Sequence, residues 1–173
     1  MKFIASGKAL IMRTRPAVGA SSPIVDLGDM PGHHIRRLHQ IAVAIFLQET
    51  EAAGVTPVQY AVLQAAANHP GIDQRTLARS VGLDTSTTAG VIDRLEARGL
   101  LQRDSSPDDR RVRLLHLTDG GHALLADVLP AMQRAQERIL EPLPKAERKE
   151  FMRMVRTLVT ANNELSRAPS DGR

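Results

Sequence analysis

The chain has no cysteine, which excludes disulfides, cysteine-based zinc sites and thiol redox sensing. It has no tryptophan, one tyrosine and three phenylalanines, so Leu, Val, Ile, Ala and Met must fill the interior. Apolar content of that kind, with few aromatic or β-branched runs, favours helices. No apolar run approaches the roughly 20 residues of a membrane span, so no membrane partner is expected. Near the start, Phe3, Ile4 and Ala5 follow Lys2, but Gly7, Lys8 and Arg13 break any hydrophobic stretch. No signal peptide is expected, and a cytoplasmic location fits. Catalytic signatures are missing as well: there is no Gly-x-Ser-x-Gly elbow, P-loop, dinucleotide fingerprint or cysteine nucleophile. The six histidines and nineteen carboxylates converge at no known spacing, so no enzyme, cofactor or metal site is expected.

What is present is basic. The formal net charge is +4 and the pI is about 10.1. A polyanion such as DNA suits that balance, and so does the surface of an ordinary basic soluble protein. The placement of the charge has to decide.

Residues 1–30 hold Gly7, Pro16, Gly19, Pro23 and Gly28 without a sustained period, and read as a flexible basic arm. Its Lys2, Lys8, Arg13 and Arg15 are available for non-specific phosphate contacts; packing on a dimer and absence from the native product are the alternatives. Pro31-Gly32 then opens a helix in which Ile35, Leu38, Ile41, Ala42, Ile45 and Phe46 recur at three- and four-residue steps, closed by Gly54. Thr56, Pro57 and Gln59 form a capping box for a second helix that ends at His69-Pro70-Gly71. Asp73 starts a short helix with Leu77, Ala78 and Val81, stopped by Gly82. Asp84 caps the next, which runs through Val91, Ile92 and Leu95 to Gly99. Two short helices joined by a tight glycine turn make a helix-turn-helix. Two short strands follow, around a charged loop from Asp104 to Arg111, as a β-hairpin wing. Thr118 caps a long helix in which Pro130 is a candidate kink, and a last helix carries Phe151, Met154, Val155, Leu158, Val159 and Leu165. The tail 166–173 is expected to fray. The fold class is mainly α with a small β-wing. The expected organisation is a winged helix-turn-helix at 55–117 and a helical dimerisation region formed by 31–54 and 118–165.

The helix after Asp84 opens with Thr85, Ser86, Thr87 and Thr88. Short hydroxyl side chains early in a helix can bond phosphates or base edges in a major groove, and the helix N-terminus favours a phosphate. The same four residues could merely cap the helix, though four hydroxyls exceed what capping needs. Ala89 and Gly90 are small, so the backbone there can approach a duplex closely. Gln74 and Arg75, at the start of the preceding helix, can reach phosphates. On the wing, Arg110, Arg111 and Arg113 can enter a narrow minor groove, with Arg111 foremost; a solvated charged loop is the alternative. Asp93 and Arg94 read as an ion pair tying this helix to the wing, while Arg79 and Arg103 fit either role.

The element order over residues 32–165 resembles the MarR family. The specific points are Leu83-Asp84, Ser86-Thr87, the run Val91 to Leu100, Asp108-Asp109-Arg110-Arg111, and Leu117-Thr118. The resemblance implies a DNA-binding transcriptional regulator built as an intertwined homodimer from both ends of the chain. Its two recognition helices would lie about one DNA turn apart on an inverted repeat. It also implies a tip arginine in the minor groove, held by the preceding aspartate. The family often carries larger or basic side chains where Ala89 and Gly90 stand, so base readout here rests on hydroxyls, methyl contacts or DNA shape. Family members often release DNA when a small aromatic acid binds between the dimer helices and the wing domain. Here His33, His34, Arg36, His39 and Tyr60 are the candidates for that cleft; a polar helix end plus a core tyrosine is the alternative. His34 and His39 are five apart and do not share a helical face as a metal pair would. The sequence looks closest to branches that control aromatic or heteroaromatic acid breakdown, so a repressor released by a hydroxylated pyridine or benzene carboxylate is expected. The rival is a winged module that binds protein instead; it would show an acidic or apolar recognition helix and a plain wing.

Overall fold

Local capping chemistry sets most of the element boundaries. The computed structural model describes residues 26–107, 109 and 112–166. Six helices and three strands follow in order: α1 (Pro31–Glu49), α2 (Pro57–Asn68), β1 (Ile72–Asp73), α3 (Gln74–Val81), α4 (Thr85–Ala97), β2 (Leu101–Ser105), β3 (Arg113–Leu117), α5 (Asp119–Leu140) and α6 (Lys145–Ala161). Thr56 and Gln59 make the reciprocal capping box at α2, with Pro57 in its first turn. Asp73, Asp84 and Thr118 each accept backbone N–H groups at the starts of α3, α4 and α5. Gly82 takes the left-handed conformation, φ 70°, that ends α3 and turns the chain into α4.

In helix ends and strand number the structure departs from the sequence reading in three places. The first helix stops at Glu49, and a 3-10 turn over Glu51–Ala53 carries the chain to Gly54. α6 ends at Ala161, and Leu165 lies in a separate 3-10 turn. The wing has three strands rather than two, in the antiparallel order β1-β3-β2. β1 pairs Ile72 with Leu115 and Asp73 with Leu114. Two residues are too few to carry an alternating pattern, so no local signal marks that strand. α5 runs unbroken past Pro130.

The wing and the helix-turn-helix share one core. Leu63, Leu77, Ile92, Leu95, Leu101 and Leu115 are almost completely buried in it, from five different elements. A second, smaller core forms where α1 crosses α5, around Phe46, Val55, Val128 and Ala135. That crossing is locked at its edge by Glu49, whose carboxylate accepts from Arg138 at 2.6 Å and Arg134 at 3.0 Å. α6 buries none of its residues.

The Glu49 lock has a pH signature. The Arg138 guanidinium, then that of Arg134, hold the Glu49 carboxyl below the usual glutamate value. A carboxylate depressed by folding contributes stability above its unfolded pKa of about 4.3, and loses it as pH falls through the lower folded value. The melting temperature of the wild type is therefore expected to drop more than that of Glu49→Gln between about pH 5 and pH 3. Parallel curves for the two proteins would remove the lock from the account.

Candidate nucleic-acid interface

α4 has two sides. Thr88, Val91, Ile92 and Leu95 face the core, and Thr85, Ser86, Thr87, Asp93 and Arg94 face outward. This corrects the hydroxyl cluster. Thr88 is fully buried, and its hydroxyl donates to the Asp84 carbonyl at 2.8 Å, so it cannot reach DNA. Its three-, four- and seven-residue steps to Val91, Ile92 and Leu95 put it on the core stripe. Thr87 is exposed, but its hydroxyl donates to the Asp84 carboxylate at 2.7 Å. That bond, and the Thr87 N–H on the same carboxyl group, hold Asp84 below the ordinary aspartate value. Thr85 and Ser86 are the outward hydroxyls at the helix start.

The predicted phosphate contacts converge on that start. Asp73, Gln74, Arg75, Thr85, Val112 and Arg113 line a cavity of about 310 Å³ between α3, α4 and the wing. The Gln74 amide donates to the Thr85 carbonyl at 3.4 Å, tying the two helices of the motif together. Arg75 is exposed beside it. Arg113 is exposed on β3, and its guanidinium donates across the hairpin to the Ser105 hydroxyl at 2.6 Å. Burial pushes the Asp73 carboxyl up, but hydrogen bonds from Thr76 and Arg75 outweigh it and keep the group ionised as a cap. Arg110 and Arg111, the expected wing-tip contacts, lie outside the described residues, as does Asp108.

The ion pair expected between Asp93 and Arg94 gives way to another one. Arg103 of β2 reaches back to α4, bonding Asp93 and, at 2.5 Å, Glu96. A strand residue thus fixes the recognition helix to the wing and pairs with both of its carboxylates, offsetting one of their two charges. Nothing local in the sequence pairs residues seven and ten apart across a helix end. At the other end of the joint, Arg98 donates to the carbonyls of Gly54 at 3.0 Å and Ala53 at 3.4 Å. The Thr118 hydroxyl donates to the Gly99 carbonyl at 2.6 Å while accepting the Gly121 N–H. The end of α4 is therefore pinned both to the loop after α1 and to the start of α5.

The candidate effector residues do not gather within one chain. His34 donates from Nε2 to the Gly28 carbonyl at 2.7 Å, and Arg36 donates to Gln40 at 3.2 Å. His39 is exposed on the same helix. Tyr60 is half-buried, packed edge-on against Phe46 with ring centres 5.9 Å apart, and donates to Gln64 at 3.1 Å. Phe46 stands twelve residues beyond His34, roughly 18 Å along the helix. The larger cavities among the described residues are lined by other side chains. Burial, then the charge of Arg36, lowers the His33 pKa, which leaves it a poor cation for a carboxylate near neutral pH. Burial raises the Tyr60 pKa, so its phenol stays a donor.

A helix-turn-helix with a three-stranded wing, an outward hydroxyl-bearing helix start and flanking exposed arginines defines a DNA-binding transcriptional regulator. The MarR family model matches residues 55–112. The transcriptional repressor NicR of Pseudomonas putida is 30% identical over 137 residues, covering 79% of this chain and 87% of its own. Two solved structures are similar over most of the chain. The PcaV regulator of Streptomyces coelicolor, solved with its natural ligand, is 38% identical, with a TM-score of 0.74 over 81% of this chain and 99% of its own. BpsR of Bordetella bronchiseptica, whose DNA binding is regulated by 6-hydroxynicotinic acid, is 33% identical, with a TM-score of 0.69 over 73% of this chain and 96% of its own. The chain belongs to the MarR family, and it is a regulator rather than an enzyme.

Proposed function

We propose that the protein is a homodimeric repressor that leaves an inverted-repeat operator when a small aromatic or heteroaromatic carboxylate binds. The observation that carries the DNA half is the convergence of Gln74, Arg75, Thr85 and Arg113 on one concave face beside Ser86. Phosphates seat on the arginines and on the start of α3, while Ser86 and Thr85 reach base edges. Arg110 and Arg111 extend the contact into the minor groove. Residues 55–117 form the DNA-reading unit.

The dimer reading rests on bare apolar surface. Ile35, Leu38 and Ile41 on α1, and Met154, Leu158 and Val159 on α6, are exposed, Val159 by 62%. Apolar stripes of this size on two helices at the chain ends fit burial against a second copy. Residues 31–54 and 118–165 form that region. The same pairing explains the scattered effector residues. His34, Arg36 and His39 of one copy would complete a cleft with Tyr60 of the other, and Arg36 would hold the carboxylate. The relation to NicR and BpsR favours a hydroxylated pyridine- or benzene-carboxylic acid. The protein acts in the cytoplasm. Release requires that the acid prefer the dimer whose recognition helices are misplaced for DNA.

The test is a mobility shift on DNA flanking the gene, with a panel of hydroxybenzoic and hydroxypyridine-carboxylic acids. One acid is expected to release the DNA, and Arg36→Ala to raise the concentration needed at least tenfold without changing affinity in its absence. A specific shift that no acid disturbs would leave a repressor without this cleft.

A further inference from the structure

We infer that Gly90 is the point where the backbone of α4 comes into contact with DNA, so that the side chain it lacks is a determinant of operator choice. The inference rests on the DNA-binding reading of the same helix and adds a residue to it. Gly90 lies in the interior of α4, where glycine weakens a helix relative to alanine. The fold gives no reason for it. Its φ is not positive, and a Cβ built on it would meet nothing within 4 Å. Gly121 shows the contrast: a Cβ there would stand 2.2 Å from the Leu100 carbonyl oxygen.

The position explains what the fold does not. Gly90 is four residues after exposed Ser86 and three before exposed Asp93, opposite the buried stripe of Thr88, Val91, Ile92 and Leu95. The outward ridge thus reads hydroxyl, bare backbone, then a carboxylate held by Arg103. Outward side chains of a groove-bound helix hold the duplex away from its axis. At Gly90 nothing does so, and base edges or sugar can close on the Cα itself. Half-buried Ala89 adds only a methyl beside it. A side chain at position 90 would occupy space that belongs to the partner, which forces the helix outward and withdraws Ser86 and Thr85 from the bases. Phosphate contacts through Arg75 and Arg113 lie off this ridge, so sequence-independent affinity survives.

Wild-type protein selected on a randomised duplex pool supplies the probe. No enriched site at low salt would remove the DNA reading, and this inference with it. On the enriched duplex, Gly90→Ala is expected to bind at least tenfold more weakly, with unchanged affinity for a scrambled duplex. Its melting temperature is expected to rise by about 2–4 °C, as the helix gains a better former. Gly32→Ala, in α1 with equally open space around its Cβ, is the matched control and is expected to leave both affinities unchanged. Equal binding of the enriched duplex by wild type and Gly90→Ala would overturn the inference while keeping the regulator. A lowered melting temperature for Gly90→Ala would overturn it too, because the glycine would then serve the fold.

Discussion

Gly121→Ala is expected to destabilise the protein by about 3 kcal/mol, the upper range for overpacking a core. Gly121 is buried in the first turn of α5, where its N–H donates to the Thr118 hydroxyl at 3.1 Å. The added methyl would lie 2.2 Å from the Leu100 carbonyl oxygen and 3.1 Å from the Leu117 side chain. The Leu100 backbone cannot yield cheaply. Leu100 accepts the Thr118 N–H at 3.3 Å and sits just after Gly99, whose carbonyl takes the Thr118 hydroxyl. Moving it would push the end of the recognition helix and the start of β2 off α5. For a chain of this length the loss corresponds to a fall in melting temperature of roughly 6–12 °C. Thermal unfolding of the two proteins at equal concentration measures it. A change under one degree would mean that α5 and the wing slide apart freely, and that this joint does not fix the recognition helix.

Arg103→Ala is expected to cost little stability and much DNA affinity. Its partners Asp93 and Glu96 are 63% and 39% exposed, so the pairs add only about 0–1 kcal/mol to the fold. On DNA the outcome differs. Without Arg103, the two carboxylates on the recognition helix lose the one positive charge they share, and their net charge towards the phosphates falls from −1 to −2. A unit charge about 10 Å from a phosphate costs roughly 0.4–1.7 kcal/mol for effective dielectrics between 80 and 20. Losing that one positive charge weakens binding about two- to twentyfold at low salt. Salt shortens the reach of that repulsion, so the defect should shrink as ionic strength rises. Adding Asp93→Asn and Glu96→Gln to Arg103→Ala should recover most of the loss, because the repulsion leaves with the charges. A defect that the charge removals do not relieve would show that Arg103 matters by holding the wing in place.

Local chemistry was legible in the sequence, and long-range geometry was not. The caps at Thr56, Asp73, Asp84 and Thr118 are written within three residues of the groups they satisfy, and each stands where expected. The stop at Gly82 follows from one left-handed residue. Thr88 shares the hydroxyl of its neighbours but not their face: its three- and seven-residue steps to Val91 and Leu95 mark the core side, and helical period outranks side-chain type. β1 exists only because β3 is there to pair with it. Arg103 finds Asp93 and Glu96 only after the chain has turned at Gly99. The candidate effector residues illustrate the same limit at the next level: one chain holds Tyr60 near Phe46 and leaves His34 about 18 Å down the helix, so no pattern within a single chain brings them together.

The most direct test of the central claim, that the face built by α3, α4 and the wing reads operator DNA as a symmetric pair, is a nuclease footprint on the DNA flanking the gene. The account predicts two protected half-sites in inverted repeat, centred about one helical turn apart, and their loss when Arg75 and Arg113 are both replaced by glutamate. Absence of any protection at low salt, or protection untouched by those replacements, would contradict it.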